Sequence, residues 1–194
     1  MRTASLRLAL WHPHANAVNA PAYRPWLSAR GSLTARLIAH SGAFRVQRLH
    51  QRAALCLADE ARAVGMARPG RVWEREVLLR CDEVPVVFAH TVVPMSCSAT
   101  DWPLFSALGE RSLGSTLFYD PQVRRGTLEF ARIRAGHPLW QRAHAALGDG
   151  DPDAVYYARR CLYRRHRGSL LVTEVFLPAV LDLLPRKNNN AEQP

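Results

Sequence analysis

Leu170-Leu171-Val172-Thr173-Glu174-Val175-Phe176-Leu177-Pro178 reads as a β-strand with two apolar faces and one carboxylate in its middle. Side chains alternate along a strand. Leu170, Val172, Glu174 and Phe176 therefore share one side, and Leu171, Thr173, Val175 and Leu177 the other. Apolar residues on both faces mark a strand covered on both sides. An ionised carboxylate there loses its water and is stable only with a partner. Glu174 thus faces a structural cation, a water-filled edge or a ligand. Structural ion pairs are a common reason for such a residue.

Working outward, Tyr156 to Tyr163 reads as the preceding strand, joined through the turn Arg164-Arg165-His166-Arg167-Gly168. The strongest hairpin signal is Val72 to Cys81, the turn Asp82-Glu83-Val84-Pro85, and the return strand Val86 to Val93. Phe44 to Leu49 and Gly126 to Arg134 complete the strands. In the hairpin Trp73, Arg75, Val77 and Leu79 share a face, opposite Glu74, Glu76, Leu78 and Arg80. Arg75 therefore sits on the apolar face. A guanidinium held there wants an anion, and its planar fork suits a carboxylate. The ordinary alternative is an arginine snorkelling to a strand end. His90 shares a face with Phe88 and Val92, where a histidine is more often a hydrogen-bonded core or edge residue than a catalyst.

Arg24 to His40 reads as a helical hairpin, with Ser32 capping a helix over Leu33–Ala39. A short helix is expected over 56–65. Another is expected from Thr100-Asp101-Trp102-Pro103 through Leu108, with proline in its first turn. Ser112-Leu113-Gly114 looks like a further capped helix start, and Leu139–Leu147 a short helix inside the Pro/Gly/Asp-rich segment 135–153. A helix start presents free N–H groups and can hold an anion, although most hold only water and their own side chains.

With 194 residues and 48% hydrophobic content, the chain suits one domain with a real core. The expected division is a mobile tail over 1–22, a folded unit over 23–185 and a disordered polar tail over 186–194. No run of about 18 apolar residues is present to cross a membrane. Arginine interrupts the first short apolar run, which makes a poor signal peptide. Cys56, Cys81, Cys97 and Cys161 are far apart, with no C-x-x-C pair. That favours reduced thiols in a cytoplasmic protein over a disulfide frame or a zinc site. The net charge of +10 points to anionic partners. The basic cluster Arg159 to Arg167, with Tyr156, Tyr157 and Tyr163, has no nucleic-acid-binding motif beside it and reads as a solvated hairpin tip.

Three pieces together resemble the chorismate pyruvate-lyase family: Trp73-Glu74-Arg75-Glu76-Val77-Leu78-Leu79, Thr91-Val92-Val93-Pro94, and the opening strand with its Thr173-Glu174-Val175-Phe176-Leu177-Pro178. Gly31-Ser32-Leu33-Thr34-Ala35-Arg36 and Ser112-Leu113-Gly114 fall where that family has its ligand contacts. The resemblance implies an α+β fold: a single curled antiparallel β-sheet with helical flaps over a buried, water-poor ligand site. It implies a cofactor-independent lyase, with no metal, that eliminates pyruvate from chorismate to give 4-hydroxybenzoate for ubiquinone biosynthesis. It also implies roles. Arg75 would hold the ring carboxylate, the N–H groups of Leu33 and Leu113 would assist, and Glu174 would meet the ring hydroxyl, Arg75 and Glu174 being the catalytic pair. The expected partners are chorismate and 4-hydroxybenzoate, with no nucleic acid, no membrane insertion and a monomeric state.

Two departures from the family pattern carry expectations of their own. His90 stands where T-V-V-P is usually preceded by arginine. If that position binds the pyruvyl carboxylate, His90 makes substrate binding pH-dependent near the histidine range. The segment from Ala135 to Tyr156 is longer than the family pattern, as an enlarged loop beside the site or a partner surface. The rival reading is a non-catalytic ligand-sensing module of the same fold, as in the effector domains of some bacterial regulators. Residues 1–22 are too short and irregular for the winged helix such proteins carry ahead of it.

Overall fold

The strands expected from alternation form one antiparallel sheet in the computed structural model, which describes residues 8–97, 101–103, 105–148 and 150–184. They are β1 (Phe44–Leu55), β2 (Arg71–Cys81), β3 (Val84–Pro94), β4 (Val123–Ile133), β5 (Tyr156–Arg165) and β6 (Gly168–Phe176). Their order across the sheet is β1-β2-β3-β6-β5-β4. The sheet is open, with β1 and β4 at its edges. Two tight turns set the register. Asp82 and Glu83 both take positive φ, 49° and 65°, as a two-residue hairpin turn of matching twist requires. His166, with φ 51°, opens the turn between β5 and β6. That turn places Glu174 of the opening strand directly across from Arg159 on β5 and Ala89 on β3.

Short helices cover the two sides. They are α1 (Arg24–Leu27), α2 (Leu33–Ala39), α3 (Ala58–Ala61), α4 (Leu113–Tyr119) and α5 (Pro138–Leu147). The Ser32 hydroxyl accepts from the Ala35 N–H at 3.2 Å and starts α2 as its sequence predicts. On the side carrying Val77, Leu79 and Ala89, the flap residues Trp26, Leu27, Leu33 and Leu37 bury themselves, each at 5% exposure or less. Full burial of such side chains contributes roughly 1.5–3 kcal/mol apiece, so this packing holds the flaps on the sheet. On the other side Leu139, Trp140 and Ala143 of α5 pack on Leu78, Phe88 and Val175. The long segment 135–156 thus covers the back of the sheet and is not a loop beside a site.

Three expectations change. Residues 1–22 were expected to be a mobile tail, yet residues 8–22 lie on the sheet. The His12 N–H and C=O pair with Phe130 at 2.8 Å each, adding a bridge to the β4 edge. Val18, in a 3-10 turn over Ala15–Val18, is buried. Backbone pairing at a sheet edge leaves no side-chain period to read. The expected helix over 101–108 is instead a series of turns in its described residues. Trp102, Phe105 and Leu108 are buried as a helix face would bury them, but the recorded backbone bond between them is the single turn from the Phe105 N–H to the Trp102 C=O. Strand β1 runs six residues past its predicted end at Leu49, and of the expected 56–65 helix only α3 forms, with turns over 62–65 after it. The polar tail 186–194 and residues 1–7 lie outside the described residues.

Candidate active site

A cavity lies between the flaps and the sheet. It touches Val46 of edge strand β1 and Leu128 of edge strand β4. One cavity reaching both edges requires the sheet to curl round it. It offers about 50 Å³ to the centre of a water-sized sphere, room for several waters. Four residues singled out in the sequence line it: Leu33, Arg75, Leu113 and Glu174. His90 does not.

Arg75 is 2% exposed. One guanidinium nitrogen donates to the carbonyls of Gly109 (3.1 Å) and Arg111 (2.9 Å), in the turns that lead into α4. No carboxylate pairs with it among the described residues, and its Nε is buried without a partner. Burial, with the nearby Arg48, pushes the guanidinium down to about 10. A cation in this state gains most from an anion delivered into the cavity.

Glu174 sits across the cavity. Arg75 is in register with Thr91 on β3, and Thr91 with Val172 on β6, two residues from Glu174. Two strand spacings and two residues along a strand separate the Arg75 and Glu174 Cα atoms by roughly 12 Å on the sheet. Two side chains pointing inward across that span leave a slot the length of a small substituted ring. Glu174 Oε2 accepts from Arg159 Nε at 2.5 Å. Its other oxygen accepts no hydrogen bond among the described residues. The carboxylate therefore has on one oxygen the structural partner that the sequence raised as one reading of Glu174, and faces the cavity with the other.

Arg159 was hidden in the basic run read as a solvated hairpin tip. It is 2% exposed. Its Nη1 donates to the carbonyls of Trp26 (3.1 Å), Leu27 (3.3 Å) and Ala29 (2.7 Å). It ties Glu174 to the flap that leads into α2. The flaps also hold each other: the hydroxyls of Thr34 and Ser112 are 2.6 Å apart. A Cβ on Gly114 would come within 3.2 Å of the Thr34 hydroxyl, so this glycine lets the starts of α2 and α4 close together. Tyr163, also lining the cavity, has its phenol pushed up by burial and then by Cys161 and Glu174, and keeps its proton.

His90 lies on the opposite side of the sheet, fully buried. Its Nδ1 is 2.9 Å from Glu76 Oε1 and its Nε2 2.9 Å from Glu60 Oε1. Burial opposes its charge, but the two carboxylates outweigh that and hold the ring up at about 10. It therefore neither faces a ligand in the cavity nor titrates near neutrality, and the expected pH-dependent contact to substrate falls away. Alternation explains this: position 90 is one residue from Ala89 and Thr91, which do line the cavity. On the same back face His50, Glu74 and Glu76 are close enough to share a cation. Arg142 of α5 already fills that role, with its Nη1 2.7 Å from Glu74 and 2.6 Å from Glu76.

A curled antiparallel sheet with a cationic and an anionic group facing one covered cavity defines a small-ligand domain. The same fold occurs in the effector domain of PhnF from Mycobacterium smegmatis, with TM-score 0.53 and 16% identity, covering 77% of this chain and 90% of that one. A GntR-family transcriptional regulator from Bacillus cereus matches with TM-score 0.53 and 14% identity, covering 70% of this chain and 92% of that one. At sequence level, the profile described as chorismate lyase matches residues 5–184. A Cupriavidus metallidurans protein named "Probable chorismate pyruvate-lyase" is 47% identical over 185 residues, 94% of this chain and 86% of that one. A Ralstonia nicotianae protein of the same name is 52% identical over 157 residues, 80% of each. The chain belongs to the chorismate lyase family.

Proposed function

We propose that the chain is a chorismate pyruvate-lyase working in this cavity. The observation that carries the reading is Arg75, a buried guanidinium lining a covered cavity with no carboxylate partner among the described residues. The ring carboxylate of chorismate supplies that anion, with the backbone N–H groups of Leu33 and Leu113, at the two flap helix starts, beside it. The ring then reaches across the slot and its hydroxyl meets the open oxygen of Glu174. Arg159 fixes the rotamer of that carboxylate from behind.

The reaction breaks the ether bond between the ring and the enolpyruvyl group and removes the hydrogen on the hydroxyl-bearing ring carbon. The products are 4-hydroxybenzoate and pyruvate. Aromatisation supplies the driving force, so the protein has mainly to hold one reactive geometry and keep water away. Glu174 orients the hydroxyl and is placed to take up a proton during elimination. No helix among the described residues is long and apolar enough to cross a membrane. The reading includes a cytoplasmic location, a monomeric state and supply of 4-hydroxybenzoate to ubiquinone synthesis as proposals of their own.

The test is direct. The purified chain is mixed with chorismate in buffer without added metal or cofactor, chorismate absorbance is followed, and products are identified by mass. Equimolar 4-hydroxybenzoate and pyruvate are expected. Tight binding of chorismate or 4-hydroxybenzoate without turnover would instead favour the ligand-sensing reading.

A further inference from the structure

Chorismate carries two carboxylates, and the reading above uses one cation for one of them. The sequence suggested position 90 for the second, but His90 is on the far side of the sheet. Among the described residues the cavity is lined by three arginines, Arg75, Arg125 and Arg159, and one carboxylate, Glu174. Glu174 pairs with Arg159, and Arg75 takes the ring carboxylate in the lyase reading, so Arg125 is the arginine of the lining whose part in substrate binding is still to be assigned.

Arg125 reaches the cavity through a defect in β4. It pairs with Tyr163 on β5, and Leu128 pairs with Cys161. The step covers two residues on β5 and three on β4. That β-bulge puts Arg125 on the same face as Leu128, where plain alternation would send it outward. Exposure follows the same pattern: Gly126 and Thr127 are both exposed, while Arg125 and Leu128 are half-buried. The bulge needs its glycine, because a Cβ at position 126 would lie 2.8 Å from the Leu162 carbonyl oxygen. A register break held by a glycine and spent on turning one arginine inward is a device that re-aims a side chain beside a site.

We propose that Arg125 receives the second carboxylate of the substrate, the one on the enolpyruvyl group. This rests on the lyase reading and adds a residue to it. Across the sheet the order is Arg75 on β2, Glu174 on β6 and Arg125 on β4. In chorismate the enolpyruvyl ether is on the ring carbon next to the one bearing the hydroxyl. A ring with its carboxylate at Arg75 and its hydroxyl at Glu174 has room to turn that neighbouring carbon to the β5–β4 side, where Arg125 lies level with Leu170 of β6. Arg125 also donates to the Arg30 carbonyl in the flap and, with Arg24 and Arg30, lines an open groove outside the cavity. It stands at the boundary between site and solvent, where it can meet an incoming dianion and where pyruvate leaves.

The test uses the fact that 4-hydroxybenzoate keeps the ring carboxylate and lacks the other. In Arg125→Gln, kcat/KM for chorismate should fall roughly tenfold to a hundredfold, while the Kd for 4-hydroxybenzoate should stay within about threefold of the parent. Arg125→Lys keeps charge and stem and carries the test if the glutamine variant does not fold; it should give a smaller fall in kcat/KM with the same unchanged Kd. Equal weakening of chorismate and 4-hydroxybenzoate, or no change in either, would overturn the assignment of Arg125 alone. A parent protein that makes no pyruvate would overturn the lyase reading, and this inference with it.

Discussion

Arg75 and Glu174 bear opposite relations to the fold. Arg75 is a charge the fold holds uncompensated: two carbonyls, no carboxylate among the described residues, and 2% exposure. Removing it should relieve the empty protein. Arg75→Met is expected to leave the melting temperature unchanged or raise it, while abolishing the extra stability that saturating 4-hydroxybenzoate gives the parent. Thermal melts with and without 4-hydroxybenzoate read both effects; a less stable empty protein that still gains from the ligand would contradict the role. Glu174 is partnered, and Glu174→Gln keeps an oxygen for Arg159 Nε. That variant should melt within a few degrees of the parent yet turn over chorismate about 10²–10⁴-fold more slowly. Both residues were legible in the sequence, because each is a charge on an apolar strand face. Arg159 was equally legible by counting back along the hairpin from its turn, which sets it opposite Glu174. The run of neighbouring arginines concealed it, since alternation sends consecutive arginines to different faces of the sheet.

At the scale of elements, β2 and β3 each serve two interiors. Their even-numbered positions 74, 76 and 90 build an ionic cluster under α5, and their odd-numbered positions 75, 89 and 91 line the cavity. The sequence separated the faces correctly but did not show what covered the back, because α5 brings Arg142 to the cluster from more than fifty residues away in the chain. Breaking the cluster by His90→Leu leaves Glu60 and Glu76 buried with too little positive charge. A loss of about 3–5 kcal/mol is expected, measured as a lower urea midpoint. KM for chorismate of the protein that remains folded should be unchanged. A selective rise in KM without loss of stability would return His90 to the substrate site. The turns over 101–108 were illegible for a different reason: buried residues spaced by three satisfy a turn series as well as a helix, and only the backbone bonds tell them apart.

For the whole molecule, the ionic cluster sets how stability follows pH. His90 has a folded pKa raised from 6.5 to about 10. Its contribution is therefore complete below about pH 6.5 and is lost as pH rises toward 10. Burial works against the charge of Glu76, but the hydrogen bond and charge of His90, with Arg142, hold its carboxyl down at about 2. Its contribution is present above about pH 4.5 and is lost as pH falls toward 2. Urea midpoints should peak between about pH 5 and 6.5 and decline on both sides. A midpoint that keeps rising from pH 6.5 to 9 would show that His90 is not held charged by its carboxylates.

The central claim is that one curled sheet presents Arg75 and Glu174 to opposite ends of chorismate. Mass-resolved turnover of chorismate by the parent, Arg75→Met and Glu174→Gln, each first shown to be folded, tests it most directly. The account predicts 4-hydroxybenzoate and pyruvate in equal amounts from the parent and rates at least about a hundredfold lower from both variants. Either variant working at the parental rate would contradict it.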